Sequence, residues 1–102
     1  MTEIRLSQPA LKVLRFLLGT PLLARSGAEI AKATRVSSGT LYPMLVRLEA
    51  AGWLSSEWEE IDPRERGRPR KRFYKLTSSG QNSANRELAD LQINLATPAW
   101  RT

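Results

Sequence analysis

AEIAKATRVSSGTLYPMLVRLEAAGWL, residues 28–54, holds two runs of helical apolar spacing divided by the four residues Thr34 to Ser37. In the first run Ala28, Ile30, Ala31 and Ala33 offer a small apolar surface, and Ser26 just before it is a helix cap by residue type. In the second, Leu41, Met44, Leu45 and Leu48 share one face, and Gly52 suits the left-handed residue that closes a helix. Two short helices joined by a tight turn form the helix-turn-helix pattern. Small side chains on the first helix permit a close crossing, and Val36 in the turn is placed to plug the space between the two.

The second helix, about residues 38–51, opens on short hydroxyl residues. Ser37, Ser38 and Thr40, with the free amides and positive end of the helix, suit contact with phosphates or base edges. The same three residues are ordinary N-caps, and both readings stand. Pro43 removes a helix hydrogen bond if Ser38 is the cap, and removes none if Thr40 is. Arg47, about two turns in, reaches either a phosphate, a guanine edge or an acidic neighbour.

Outward from this unit lies EEIDPRERGRPRKRFYKLT, residues 59–77. The flanking stretches WLSSEWEEI and RFYKLT are rich in residues that suit strands and read as a hairpin, with Trp53, Leu54, Trp58, Phe73, Tyr74 and Leu76 on its inner, core-facing side. Pro63, Pro69 and Gly67 interrupt any continuous ladder, so the connection bulges into water. Arg64, Arg66, Arg68, Arg70 and Lys71 thus gather on an exposed tip, residues 62–72, whose mutual repulsion a polyanion would relieve. Glu57, Glu59, Glu60 and Asp62 read as solvated, charge-balancing residues.

At the N-terminal end, SQPALKVLRFLLGTP (7–21) carries Leu11, Leu14, Leu17 and Leu18 at helical spacing behind a Ser7 cap and Pro9, with Gly19 and Pro21 as its stop. At the other end, TSSGQNSANRELADLQINLATP (77–98) reads as a helix capped by Thr77, with Ala84, Leu88, Leu91 and Leu95 at heptad-like spacing and Pro98 beyond. The class is mainly α with a small β-hairpin (α+β). A chain of 102 residues makes one domain, 1–102, with residues 7–76 as a winged helix-turn-helix and 77–98 as a terminal dimerisation helix.

Composition narrows the chemistry. A formal charge of +6 and a pI near 10.5 point to nucleic acid or an anionic surface. With neither Cys nor His, thiolate chemistry, disulfides and most zinc sites are excluded, as is the commonest general base. No phosphate-binding glycine loop or nucleophile motif is present, so neither an enzyme nor a cofactor is expected. Apolar runs are too short to span a bilayer, which points to a cytoplasmic, nucleoid-associated chain.

GTLYPMLVRLEAAGWLSSEWEE followed by GRPRKRFYKLTSSG closely resembles the PadR family of bacterial transcriptional regulators, with its Leu-Tyr-Pro in the recognition helix and its Gly-Arg-Pro wing. The likeness runs from about Gly39 to Gly80. Ala28 stands where many members carry an aromatic residue, and Arg35 where helix-turn-helix turns commonly have Gly; if that position takes positive φ, the side chain costs about 1 kcal/mol. The resemblance implies a homodimeric, repressor-like regulator that dimerises through its last helix and the partner's first. It also implies a phosphate contact for the Tyr42 hydroxyl, beside which a half-buried packing role for the ring stands equally, and, as in some members of the family, an aromatic small-molecule effector stacked on Trp100, a residue that by its place near the terminus also reads as a ring resting on the first helix or as part of a frayed end.

The expected function is sequence-specific binding of duplex DNA at a pseudo-palindromic operator. Ser37, Ser38, Thr40, Tyr42 and Arg47 are the expected contacts from the helix, Arg64, Arg66, Arg68, Arg70 and Lys71 those from the wing on backbone or minor groove. Leu88, Leu91 and Leu95 are the expected dimer contacts. Two rivals are a winged-helix module that docks an acidic protein, and a binder of single strands or RNA.

Overall fold

The computed structural model describes the backbone of residues 6–96 and the side chains of residues 6–90. Its elements run α1 (Gln8–Gly19), β1 (Arg25–Ser26), α2 (Gly27–Thr34), α3 (Ser38–Ala50), β2 (Leu54–Trp58), α4 (Pro63–Arg66), β3 (Arg72–Leu76) and α5 (Ser78–Ala96). Helix α1 starts where Ser7 Oγ accepts from the Ala10 amide at 3.3 Å. Its buried stripe is Ala10, Val13, Leu14 and Leu17. Leu11 and Leu18, expected in that stripe, are only half-buried, whereas Val13, not expected in it, is fully buried.

Helix α2 opens on a reciprocal capping box: Ser26 Oγ accepts from the Glu29 amide at 3.1 Å, and the Glu29 carboxylate accepts from the Ser26 amide at 3.2 Å. These bonds hold the Glu29 carboxyl below its ordinary range, the bond from the Ser26 backbone contributing most. The helix ends on Arg35 at φ 59°, ψ 23°, the left-handed conformation that the turn requires. The cap of α3 is Ser37, upstream of both Ser38 and Thr40. Pro43 therefore lies inside the helix, and the Gly39 carbonyl loses the donor it would have had at that position.

Strands β2 and β3 pair antiparallel from Leu54 with Leu76 to Trp58 with Arg72. The sequence reading missed β1, whose Arg25 and Ser26 pair with Tyr74 and Phe73 on the other edge of β3. Two residues are too few to show period-two alternation. The result is a mainly helical chain with a three-stranded antiparallel sheet in the order β1-β3-β2.

The core joins Leu14 and Leu17 of α1, Ile30 of α2, and Leu41, Leu45 and Leu48 of α3, each at most 1% exposed. Trp53, Leu54, Tyr74 and Leu76 close it from the sheet side. Trp58 does not: it is 58% exposed. It shares a strand face with Leu54, but it is the last residue of β2, at the wing end of the ribbon. The ring instead packs against the guanidinium of its cross-strand partner Arg72, 4.9 Å from the ring centre.

Thr77 joins the last helix to the rest. Its hydroxyl accepts from the Gly80 amide at 2.9 Å and donates to the Gly52 carbonyl at 2.6 Å, while its amide donates to the Trp53 carbonyl at 3.0 Å. Gly80 lies so close to that strand entry that a Cβ there would collide with the Trp53 backbone carbonyl. Ala84 is buried and Leu88 half-buried. The side chains of Leu91 and Leu95, and Pro98 and Trp100 entirely, lie outside the described residues.

Candidate nucleic-acid interface

Helix α3 buries Leu41, Met44, Leu45 and Leu48, half-buries Glu49 and turns the rest of its surface to solvent. Ser37, Ser38, Thr40, Tyr42 and Arg47 are all exposed. The hydroxyls are not consumed as caps: Ser37 makes no side-chain capping bond, and its Oγ lies 3.3 Å from Thr40 Oγ1. The amides of Ser38 and Gly39, in the first turn, have no intrahelical acceptor. Arg47 pairs with no carboxylate among the described residues.

Tyr42 lies across Gly27, the first residue of α2. A Cβ on Gly27 would come within 2.6 Å of the Tyr42 hydroxyl, so the glycine makes room for the ring. Tyr42 remains 43% exposed and, together with Gly27, Trp58, Arg70, Lys71 and Tyr74, lines a cleft of about 390 Å³ between α2, α3 and the wing. This cleft has one aromatic wall, one cationic rim and a helix N-terminus at its edge.

The tip of the wing is more ordered than a bulge. Asp62 caps a single helical turn, its carboxylate accepting from the Arg64 amide at 2.9 Å; Pro63 is the first helical residue and Gly67, at φ 66°, ends it. Asp-Pro followed by Gly four residues after the proline is the residue pattern for such a turn.

This turn sorts the arginines. Arg68 donates from Nη1 and Nη2 to the two oxygens of Glu59, at 2.7 and 2.9 Å. The Lys71 amide donates to the same carboxylate at 3.2 Å. The Arg68 bond above all, then the Lys71 amide and the nearby positive charges, pull the Glu59 carboxyl down to about 2. Arg70 donates from Nε to the Ile61 carbonyl at 3.1 Å. Arg64, Arg66 and Lys71 are exposed, and their side chains enter no ion pair among the described residues. Glu59 is thus a built part of the wing and more than a solvated counter-charge.

A second link fixes the wing to α3. Glu49 accepts from Ser56 Oγ at 2.5 Å, and its carboxylate stands 3.9 Å from Arg72, the same arginine that lies over Trp58. Helix and hairpin are held at one angle by side chains from both strands. Gly27, Glu49, Glu59, Trp58 and Arg72 went unremarked as site residues in the sequence. Only strand register brings Trp58 and Arg72 together, and only the tip turn brings Arg68 back to Glu59.

Among the described residues, no group of three or more His, Cys, Asp or Glu is placed to hold a metal ion, and no helix is long and apolar enough to cross a membrane.

The model of the transcriptional regulator PadR-like family matches residues 17–86. Transcriptional regulator Rv3488 of Mycobacterium tuberculosis is 51% identical over 47 residues, 46% of this chain. That stretch spans 39% of the relative's length. Among solved structures, smu.1704 from Streptococcus mutans UA159 superposes with a TM-score of 0.68 at 25% identity, over 94% of this chain and 89% of that one. A PadR-like transcription factor from Bacteroides fragilis gives a TM-score of 0.65 at 28% identity, over 83% and 84%.

Proposed function

The chain belongs to the PadR-like family of transcriptional regulators, which are DNA-binding winged-helix proteins and not enzymes, and from that membership we propose that it is a homodimeric repressor of specific operators. One observation carries the reading: the solvent face of α3 presents exposed hydroxyls that serve as no cap, an Arg47 that pairs with no carboxylate among the described residues, and free amides, and it adjoins a wing whose Arg64, Arg66 and Lys71 enter no ion pair among the described residues. Helix α3 enters the major groove. Ser38, Thr40 and Arg47 contact base edges; Ser37 and the Tyr42 hydroxyl contact phosphate. The wing, residues 62–72, lies on the adjacent backbone and minor groove. Arg70 and Lys71 face one phosphodiester in the cleft beneath Trp58, and Arg68 holds the tip in shape through Glu59.

Two copies related by a two-fold axis would set their α3 helices about one turn of DNA, roughly 34 Å, apart, so the operator is pseudo-palindromic. Dimerisation runs through the apolar stripe of α5, Leu88, Leu91 and Leu95. A small aromatic effector near Trp100 belongs to the same reading, and acts only if it binds the DNA-competent and DNA-incompetent dimers unequally.

The test is a mobility shift with the protein's own upstream DNA against scrambled duplex. Specific retention supports the reading, and weak, sequence-blind retention favours an acidic-protein docking module instead. In the same assay Leu91→Glu, which puts a charge into the dimer stripe, is expected to give a monomer by light scattering and a weakened shift.

A further inference from the structure

At about 100° of rotation per residue, Gly39, Pro43, Val46 and Ala50 fall within about 60° of arc on α3, directly opposite the buried stripe of Leu41, Met44, Leu45 and Leu48. All four are exposed, Val46 at 63%. A Cβ added at Gly39 would meet nothing within 4 Å. The part of the helix that points straight away from the core is therefore an apolar ridge, without one side-chain donor or acceptor. Its polar residues stand to either side: Thr40 and Arg47 on one flank, Tyr42 and Glu49 on the wing-facing flank.

We propose that this ridge reads thymine through its C5-methyl group, with Val46 as the specificity-determining residue and Pro43 beside it. The proposal rests on the reading of α3 as a major-groove helix. Of the base edges in that groove, only thymine presents a methyl group; guanine, adenine and cytosine present donors and acceptors. An aliphatic side chain pressed on those polar edges removes water without replacing its hydrogen bonds, which disfavours them, whereas against a methyl group it buries apolar surface on both sides. The small Gly39 and Ala50 at the ends of the ridge let its middle approach closely. The surrounding cations commit the ridge to DNA over an apolar protein groove: Arg47 lies beside it, Arg64, Arg66 and Lys71 stand free on the wing, and the chain carries a formal charge of +6.

The experiment begins by selecting duplexes from a random pool with the intact protein. Each thymine of the consensus is then replaced singly by deoxyuridine, which deletes only the methyl group, and affinities are read by fluorescence anisotropy. At least one thymine per half-site is expected to lose about fourfold in affinity, the worth of one buried methyl group. Val46→Ala should bind thymine and uracil duplexes alike at that position, while Val46→Thr, which keeps a methyl group there, should retain part of the discrimination. Because Val46 is exposed, both variants should keep the wild-type circular dichroism. A consensus in which every uracil replacement stays within about twofold overturns the proposal and leaves specific DNA binding standing. A Val46→Ala protein that discriminates like wild type overturns it also. A selection that yields no consensus overturns the function reading itself, and the ridge with it.

Discussion

Arg68 and Glu59 form a two-pronged ion pair across the base of the wing tip, with nitrogen to oxygen distances of 2.7 and 2.9 Å. The Glu59 carboxyl titrates at about 2 in the folded chain against an ordinary 4.5, held down first by the Arg68 hydrogen bond. Because the folded value is the lower one, the pair's contribution is complete above about pH 4.5 and is lost as the pH falls toward 2. Both side chains are partly solvated, so the effect on global stability is small. In an NMR titration the Glu59 carboxyl should show its midpoint near 2, and Arg68→Ala should move it up toward 4.5. A midpoint that ignores the substitution would remove Arg68 as the cause.

The free cations of the wing behave differently. Arg64→Ala, Arg66→Ala or Lys71→Ala should each weaken binding to every duplex and lower the slope of log affinity against log salt by about one, because each releases one fewer counterion. Thr40→Ala should leave that slope and change the ranking of operators. Anisotropy titrations across a salt series separate the two. A wing variant with an unchanged slope would mean that its side chain touches no phosphate.

Arg35 occupies the left-handed region at φ 59°. Glycine adopts that conformation without strain, so Arg35→Gly should raise stability in urea by up to about 1 kcal/mol, less what glycine gains in unfolded-chain freedom. A destabilised variant would show that the strain at Arg35 is smaller than the freedom glycine adds to the unfolded chain and any contact the side chain makes.

Gly80 gives the opposite expectation. Gly80→Ala forces α5 away from the Trp53 carbonyl and should lower stability by about 1 to 3 kcal/mol, the range for overpacking a tight contact. Thermal melts of the two glycine-site variants, run together, should move in opposite directions.

Local chemistry made the helices legible. Leu41, Leu45 and Leu48 with Gly52 mark α3, Thr77 marks the start of α5, and Leu54 with Leu76 mark the paired strands. What stayed hidden depends on distance along the chain. Strand β1 is two residues long and exists because β3 offers it an edge. Trp58 looks like a core residue until strand register sets it at the wing end of the ribbon, against Arg72. Four arginines at alternate positions look equivalent in sequence, yet the single turn capped by Asp62 brings Arg68 onto Glu59 and Arg70 onto a carbonyl. The Gly39, Pro43 and Val46 ridge shows only after the buried face of α3 is known, since its residues look like ordinary helix filler.

Dimethyl sulfate footprinting of a bound operator with guanine in each half-site tests the docking most directly, since the reagent methylates guanine N7 in the major groove and adenine N3 in the minor groove. The account predicts N7 protection in two patches about one helical turn apart, with N3 protection beside them where the wings lie. A saturated complex whose guanines all react as in free DNA would contradict the placement of α3 in the major groove.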